Sequence, residues 1–141
     1  MERCAILHVE DHDADADAYL FRAALDQAGI GISVYRVSDG DQALAFLHKS
    51  GIYQKARRPD LVVLDLNMPR VDGWTVLRSV KEKAELKDVP IVVLSTSQRP
   101  EDRTRSMALG ARHYLAKPSD FDDLVRMIEC LCADFLPQPV D

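Results

Sequence analysis

Short apolar runs and longer amphipathic segments alternate five times along the chain. A short apolar run bounded by polar residues predicts a strand, and apolar residues spaced three and four apart predict the buried face of a helix. The predicted strands cover residues 5–9, 33–37, 61–64, 91–94 and 113–116. The predicted helices carry their apolar faces at residues 20–28, 43–47, 74–80, 107–109 and 121–135. This alternation predicts an α/β fold, a parallel sheet with helices on both faces and right-handed crossovers.

The most continuous apolar run, residues 61–64, leads directly into Asp65. Such a run is typical of a strand that is buried on both faces. A carboxylate at its end then lies at the carboxyl edge of the sheet, where open α/β sheets bind their ligands. Because a charge in such a place is costly unless another group pairs with it, Asp65 needs a partner at this edge.

The composition indicates one globular domain. The chain has 141 residues, of which 47% are apolar and 29% charged, with a formal net charge of −5, as in ordinary soluble domains. We expect no nucleic-acid partner, because no basic face is evident, and no membrane span, because no apolar run is long enough. The amino terminus lacks a signal-peptide pattern, and the three cysteines are an odd number, so we expect a cytoplasmic protein.

Polar residues follow four of the five predicted strands, at the edge where the carboxyl ends of parallel strands meet. They are Glu10, Asp11, His12 and Asp13 after the first strand, Asp65 and Asn67 after the third, Ser95, Thr96 and Ser97 after the fourth, and Lys117 after the fifth. Three carboxylates, from Glu10, Asp11 and Asp65, would then share one edge with a single lysine. One divalent ion would make up the missing positive charge, and oxygen ligands without cysteine or paired histidines favour Mg²⁺.

A carboxylate in such a site can attack phosphorus and form an aspartyl phosphate. Mg²⁺ and a lysine would neutralise the charge that develops on the phosphoryl oxygens, and Ser95 could donate a hydrogen bond to one of them. Taken singly, each residue has a plainer interpretation. Glu10, Asp11 and residues 95–97 can cap helices, Asp65 can be a turn residue, and Lys117 can be a solvated charge. Their joint occurrence at successive strand ends favours the site.

The motifs at these strand ends resemble the receiver domains of two-component response regulators. The motifs are Val9-Glu10-Asp11, Leu64-Asp65-Leu66-Asn67-Met68-Pro69 with Asp72-Gly73, Ser95-Thr96-Ser97, Gly110-Ala111 and Tyr114-Leu115-Ala116-Lys117-Pro118. The resemblance covers nearly the whole chain and implies a doubly wound, flavodoxin-like (βα)5 sheet of strand order 2-1-3-4-5. We expect the receiver domain at residues 1–135, followed by a short tail at residues 136–141. The resemblance also makes Lys117-Pro118 a place for a cis peptide bond.

The resemblance implies a chemical role for each residue that matches a family motif. Asp65 matches the phosphoacceptor, and Lys117 matches the lysine that pairs with the phosphate. Glu10 and Asp11 match the acidic pair that holds Mg²⁺ together with Asp65. Asn67 matches the position that ligates the metal through its backbone carbonyl. These matches imply a metal-dependent phosphoacceptor site.

Two further matches concern the conformational switch of the family. Ser95 matches the switch hydroxyl, and Tyr114 matches the aromatic switch, whose ring turns inward when the hydroxyl moves. Ser95 stands where threonine is common, so it lacks a methyl group and could couple more loosely to Tyr114.

In the metal site, Glu10 stands where aspartate is commoner. Glutamate is one methylene longer, so Glu10 can reach the ion through water. Neither departure removes a needed group.

A narrower resemblance, to single-domain regulators that serve phytochrome-type and related sensor kinases, rests on residues 50–58, Pro69-Arg70, Leu86-Lys87 and residues 94–97. It implies a stand-alone response regulator that accepts a phosphoryl group on Asp65 from a sensor histidine kinase or a histidine phosphotransfer protein. Such a protein is not an enzyme and only slowly loses its phosphoryl group. Its signal would pass to a partner protein, to a second copy in a homodimer, or along a multistep relay.

Two other functions stay open at this point. Mg²⁺-dependent phosphohydrolases of the haloacid dehalogenase type also use an aspartate nucleophile. They place a second aspartate two residues later as the general acid, where this chain has Asn67. A degenerate receiver that serves only as a binding scaffold is disfavoured, because Asp65, Ser95 and Lys117 are all present.

Overall fold

Five parallel strands form one sheet in the order β2-β1-β3-β4-β5. The computed structural model of the protein describes residues 4–10, 15–28, 32–65, 73–95 and 99–136. The strands are β1 (Cys4–Val9), β2 (Ile32–Val37), β3 (Leu61–Asp65), β4 (Ile91–Ser95) and β5 (His113–Ala116). The α/β class, the flavodoxin-like architecture and the strand order expected from the sequence are all confirmed. The strand order reverses beside β1, and open sheets bind their ligands at such a place.

The helices alternate with the strands in the predicted order. They are α1 (Asp15–Ala28), α2 (Gly40–His48), α3 (Gly73–Glu82), α4 (Pro100–Ala108) and α5 (Phe121–Phe135), with a short 3-10 helix at Gly51–Tyr53. No helix in these parts of the chain is long and apolar enough to cross a membrane. The expected tail begins at Leu136, whose side chain is buried in the core beside α5; residues 137–141 lie outside the described ranges.

Two apolar clusters fill the space on the two faces of the sheet, because alternate residues of a strand point to opposite sides. In β3, Val62 and Leu64 join the cluster under α2 and α3. Leu61 and Val63 join the cluster under α1 and α5. Every residue of β3 and β4 is buried; for β3 this double burial was expected from the unbroken apolar run at residues 61–64. This double burial fixes the strand register and therefore the position of each strand end.

Helix α4 differs from the others because Ser106 is its only buried residue. Its first turn contains Pro100, which is suited to a position where the backbone N–H has no helical partner. Its last turn is followed by Gly110, whose φ of +102° favours glycine. The side chain of Lys81 in α3 donates a hydrogen bond to the carbonyl of Ala108, at 2.9 Å. Helix α4 is thus tied to α3 mainly by surface contacts rather than by an apolar face.

Every peptide bond between described residues is trans, including the bond between Lys117 and Pro118. The cis bond that the resemblance suggested at this position is therefore wrong for this structure.

Candidate functional site

The ends of four neighbouring strands bring the candidate residues to one edge of the sheet. Asp65 and Ser95 are the last residues of β3 and β4, while Glu10 and Lys117 directly follow β1 and β5. Backbone hydrogen bonds continue the ladder into these positions. The N–H of Lys117 donates to the carbonyl of Ser95 at 3.0 Å, and the N–H of Glu10 donates to the carbonyl of Val37 at 3.1 Å. The backbone therefore fixes where each functional side chain begins.

The ammonium group of Lys117 joins two carboxylates that come from different strands. Its Nζ lies 3.0 Å from Oε1 of Glu10 and 3.1 Å from Oδ2 of Asp65. The Lys117 side chain is 20% exposed, against 2% for Glu10 and 12% for Asp65. Burial alone lowers the pKa of Lys117, but the hydrogen bond to Glu10 and the charge of Asp65 outweigh it, so the net pKa lies above its ordinary value. The lysine therefore stays charged between its two partners.

The second oxygen of Glu10 has a different partner, which sequence reasoning did not identify. Nε2 of His8 lies 2.9 Å from Oε2 of Glu10, and both side chains are almost completely buried. Burial raises the pKa of the Glu10 carboxyl, but the contacts with His8 and Lys117 outweigh that effect and hold the pKa below its ordinary value. The sequence could have indicated this contact, because His8 and Glu10 are two residues apart and residues two apart on a strand point to the same face. Glu10 is thus an ionised carboxylate with both oxygens engaged.

The two candidate switch residues are both buried. Ser95 is 0% exposed and Tyr114 is 8% exposed. Tyr114 belongs to the apolar cluster on the α2 and α3 side of the sheet, and in the ladder between β4 and β5 it pairs with Val93, two residues before Ser95. The structure therefore places the Tyr114 ring in an inward position and keeps both residues on adjacent strands.

Two of the predicted metal-site residues, Asp11 and Asn67, lie outside the described ranges, as do Thr96 and Ser97. Among the residues whose placement is described, no group of three or more histidine, cysteine, aspartate or glutamate side chains could hold a metal ion.

Glu10 and Asp65 are the members of the expected donor set that the structure describes. They present carboxylate oxygens to one shared cation, the ammonium of Lys117. This donor chemistry fits a hard divalent cation such as Mg²⁺ or Mn²⁺.

A small cavity of about 70 Å³ borders this group of charges. Its charged and polar lining comes from His8, Glu10, Asp65 and Lys117, and its apolar lining includes Phe21 of α1. A cavity of this size has room for a water molecule or for the rotation of a side chain. The site edge is therefore not filled by protein atoms, and the carboxylates have space beside them.

The chain is similar in sequence to known proteins over most of its length. The family described as the response regulator receiver domain matches residues 6–129. The response regulator Rcp1 of Synechocystis sp. is 39% identical over 124 residues, which cover 88% of this chain and 83% of Rcp1. These matches span the strands and helices that carry all the candidate residues described above.

Solved structures of similar sequence share the whole fold. The phosphorylated cyanobacterial phytochrome response regulator RcpA superposes with a TM-score of 0.87 and 36% identity, covering 98% of this chain and 97% of RcpA. The Mn²⁺-bound form of Rcp1 gives a TM-score of 0.84 and 36% identity, covering 97% of both chains. RPA3017, a response regulator in red light signaling of R. palustris, gives a TM-score of 0.87 and 30% identity, covering 98% of this chain and 99% of that one.

Proposed function

Because this chain belongs to the response regulator receiver domain family, we propose that it works as a phosphorylation switch in which Asp65 accepts the phosphoryl group. The donor is a phosphohistidine of a sensor histidine kinase or of a histidine phosphotransfer protein. A carboxylate oxygen of Asp65 forms a bond to phosphorus while the bond between phosphorus and the histidine nitrogen breaks. The observation that carries the proposal is the ammonium of Lys117, which lies 3.1 Å from Asp65 and 3.0 Å from Glu10.

Lys117 and the acidic side chains have different electrostatic roles: the lysine pairs with the phosphoryl group, and the carboxylates bind the metal ion. Lys117 lies beside Oδ2 of Asp65, so its ammonium group is close enough to pair with an oxygen of a phosphoryl group on Asp65. Glu10, Asp11, Asp65 and the backbone carbonyl of Asn67 would hold Mg²⁺, which neutralises charge on the phosphoryl oxygens when it is bound. That Rcp1 has been solved with Mn²⁺ supports a divalent ion at this edge. Slow hydrolysis of the acyl phosphate would end the signal, and no other catalytic turnover is expected.

The response to phosphorylation is proposed to pass through Ser95, Tyr114 and α4. A phosphoryl group adds charge and hydrogen-bond acceptors at Asp65, and the hydroxyl of Ser95 is offered from the end of the neighbouring strand. Such a local change acts by biasing an element that has two arrangements. Helix α4 suits this role, because Ser106 is its only buried residue and few apolar contacts oppose a shift.

The partners are proposed by analogy with the relatives. RcpA is named as a phytochrome response regulator, and RPA3017 is named for red light signaling. We therefore propose a phytochrome-type histidine kinase as the phosphoryl donor of this chain. The protein would act as a stand-alone receiver, which passes its signal by contact with a partner protein, with a second copy in a homodimer, or with the next phosphotransfer protein of a relay.

Intact-mass spectrometry tests the proposal. The purified protein is incubated with acetyl phosphate or phosphoramidate in the presence of Mg²⁺, and in parallel with a chelator. We expect the mass to increase by one phosphoryl group with Mg²⁺ and to stay unchanged with the chelator. A mass that never increases would contradict the phosphorylation switch and favour a receiver used only for binding. Steady release of phosphate from many small phosphomonoesters would instead favour the phosphohydrolase.

A further inference from the structure

The charged site is connected to helix α1 by a chain of contacts through His8. The His8 ring stacks on Phe21 of α1, with ring centroids 4.2 Å apart and an angle of 29° between the planes. Its Nε2 lies 2.9 Å from Oε2 of Glu10. Both His8 and Phe21 are 3% exposed. A buried aromatic surface thus holds the imidazole ring in the orientation that faces Glu10.

The direction of the hydrogen bond follows from the chemistry of the two groups. An ionised carboxylate can only accept, so Nε2 of His8 must carry the proton and donate. The opposite oxygen of Glu10 accepts from Lys117 at 3.0 Å. Glu10 is therefore held from two sides, and Oε1 is the oxygen that shares the Lys117 ammonium with Asp65.

The restraint by His8 matters because Glu10 would otherwise have room to move. The cavity of about 70 Å³ borders Glu10, His8 and Asp65, and the glutamate side chain has more rotatable bonds than the aspartate that is commoner at this position. Without a donor at position 8, Oε2 would lose its protein partner at a buried position, which is unfavourable for a carboxylate. Glu10 would then be free to rotate into the cavity, and its carboxylate would no longer be fixed for metal binding.

We propose that His8 is a positioning residue, which fixes the Glu10 carboxylate so that a single oxygen is presented to the divalent cation. This inference rests on the proposed function, because it assumes that Glu10 takes part in metal binding. In this role His8 acts through Glu10, the partner of its Nε2, and not as a ligand itself. Side chains that hydrogen-bond to metal ligands have this role in many sites, and their loss weakens metal binding roughly 10- to 100-fold.

The test is metal affinity in a matched pair of variants. His8→Phe keeps an aromatic ring against Phe21 but removes the donor, and His8→Gln keeps an N–H donor at a similar reach but loses the ring. Mg²⁺ binding is measured by calorimetry, and Mn²⁺ binding by electron paramagnetic resonance, on the complete chain without phosphoryl donor. Urea unfolding in the absence of metal reports whether each variant is folded. His8→Leu is a second donor-free variant in case the phenylalanine does not pack.

We expect the Mg²⁺ dissociation constant of His8→Phe to increase roughly 10- to 100-fold and that of His8→Gln to stay close to the wild-type value. A folded His8→Phe or His8→Leu protein that binds Mg²⁺ as the wild type does would overturn the inference. Equal weakening in the glutamine and phenylalanine variants would also overturn it, because ring packing and not the hydrogen bond would then be the cause. A wild-type protein that binds neither ion would overturn the proposed metal site itself, and this inference with it.

Discussion

The ammonium group of Lys117 lies 3.1 Å from Oδ2 of Asp65, although 52 residues separate them in the chain. The contact exists because β3 and β5 flank β4 in the same sheet and end at the same edge. The same ammonium also pairs with Glu10, which follows β1. One cation therefore links residues from three strands, and it occupies a place where two carboxylates would otherwise repel each other.

Replacement of Lys117 by methionine should destabilise the metal-free protein. The buried oxygen Oε1 of Glu10 would lose its charged donor, and hydrogen bonds to charged groups typically contribute about 1.5–3 kcal/mol. We expect the free energy of unfolding in urea to decrease by about that amount. Lys83→Met makes the same change at an exposed position after α3 and should change the free energy by less than about 0.5 kcal/mol.

Magnesium should restore part of this loss, because a ligand that binds only the folded state stabilises it by mass action. The gain in the free energy of unfolding on adding Mg²⁺ should be larger for Lys117→Met than for the wild type, since the ion would supply positive charge that Lys117 no longer supplies to Glu10 and Asp65. If Lys117→Met were as stable as the wild type without metal, the proposed electrostatic role of Lys117 would be incorrect.

Acid should destabilise the metal-free protein through Glu10. The pKa of Glu10 in the folded protein lies below its ordinary value of 4.5, so the unfolded chain takes up this proton first as the pH falls. The contribution of Glu10 to stability is therefore complete above pH 4.5 and is lost as the pH falls through the folded-state pKa. Urea unfolding between neutral and acidic pH should show a shallower decline for Glu10→Gln than for the wild type. Glu129→Gln, at an exposed position of α5, is the control and should follow the wild type.

Alkaline pH should also destabilise the metal-free protein, in this case through Lys117. Its pKa in the folded protein lies above the ordinary value of 10.5. The stabilisation that it provides is complete below pH 10.5 and is lost as the pH rises through the folded-state value. The free energy of unfolding of Lys117→Met should therefore depend less on pH in this range. A decline as steep as that of the wild type would show that other groups dominate the alkaline limb.

The contact between Trp74 and Arg105 should report on the position of α4. The guanidinium carbon of Arg105 lies 4.2 Å from the centre of the Trp74 ring, and Trp74 is the only tryptophan of the chain. Arg105→Gln should therefore change the tryptophan emission and lower the free energy of unfolding by about 0.5–1 kcal/mol. Arg103→Gln, an exposed arginine of the same helix, should leave the emission unchanged.

The same emission can follow the proposed switch. If phosphorylation shifts α4 relative to α3, acetyl phosphate with Mg²⁺ should change the Trp74 emission in the wild type and change it less in Arg105→Gln. Identical changes in both proteins would argue against a movement that alters this contact.

Much of the fold follows from the order of apolar and polar residues. The runs at residues 61–64 and 91–94 predicted strands, the first of them buried on both faces, and both strands are entirely buried. The convergence of Glu10, Asp65, Ser95 and Lys117 followed from one rule, because parallel strands end at a common edge. Strands β3 and β4 each extend one residue further at their carboxyl ends than predicted, so Asp65 and Ser95 belong to the strands themselves.

Pairing between individual side chains was not predictable to the same degree. The sequence placed Lys117 at the edge but did not show that it would join Glu10 and Asp65 together. His8 of β1 pairs with Glu10 while its ring stacks on Phe21, which comes from a different element. The exposure of Met107 in α4 also departs from a simple apolar helix face. Such details depend on side-chain orientation and on neighbours distant in sequence, which periodicity does not encode.

Identification of the phosphorylated residue tests most sharply whether Asp65 is the phosphoacceptor. The protein is treated with acetyl phosphate and Mg²⁺, the acyl phosphate is reduced with borohydride, and the converted residue is located by tandem mass spectrometry, with Asp65→Asn as the control. We expect conversion at Asp65 alone and no phosphoryl group on the intact Asp65→Asn protein. Conversion at another carboxylate, or full labelling of Asp65→Asn, would show that Asp65 is not the phosphoacceptor.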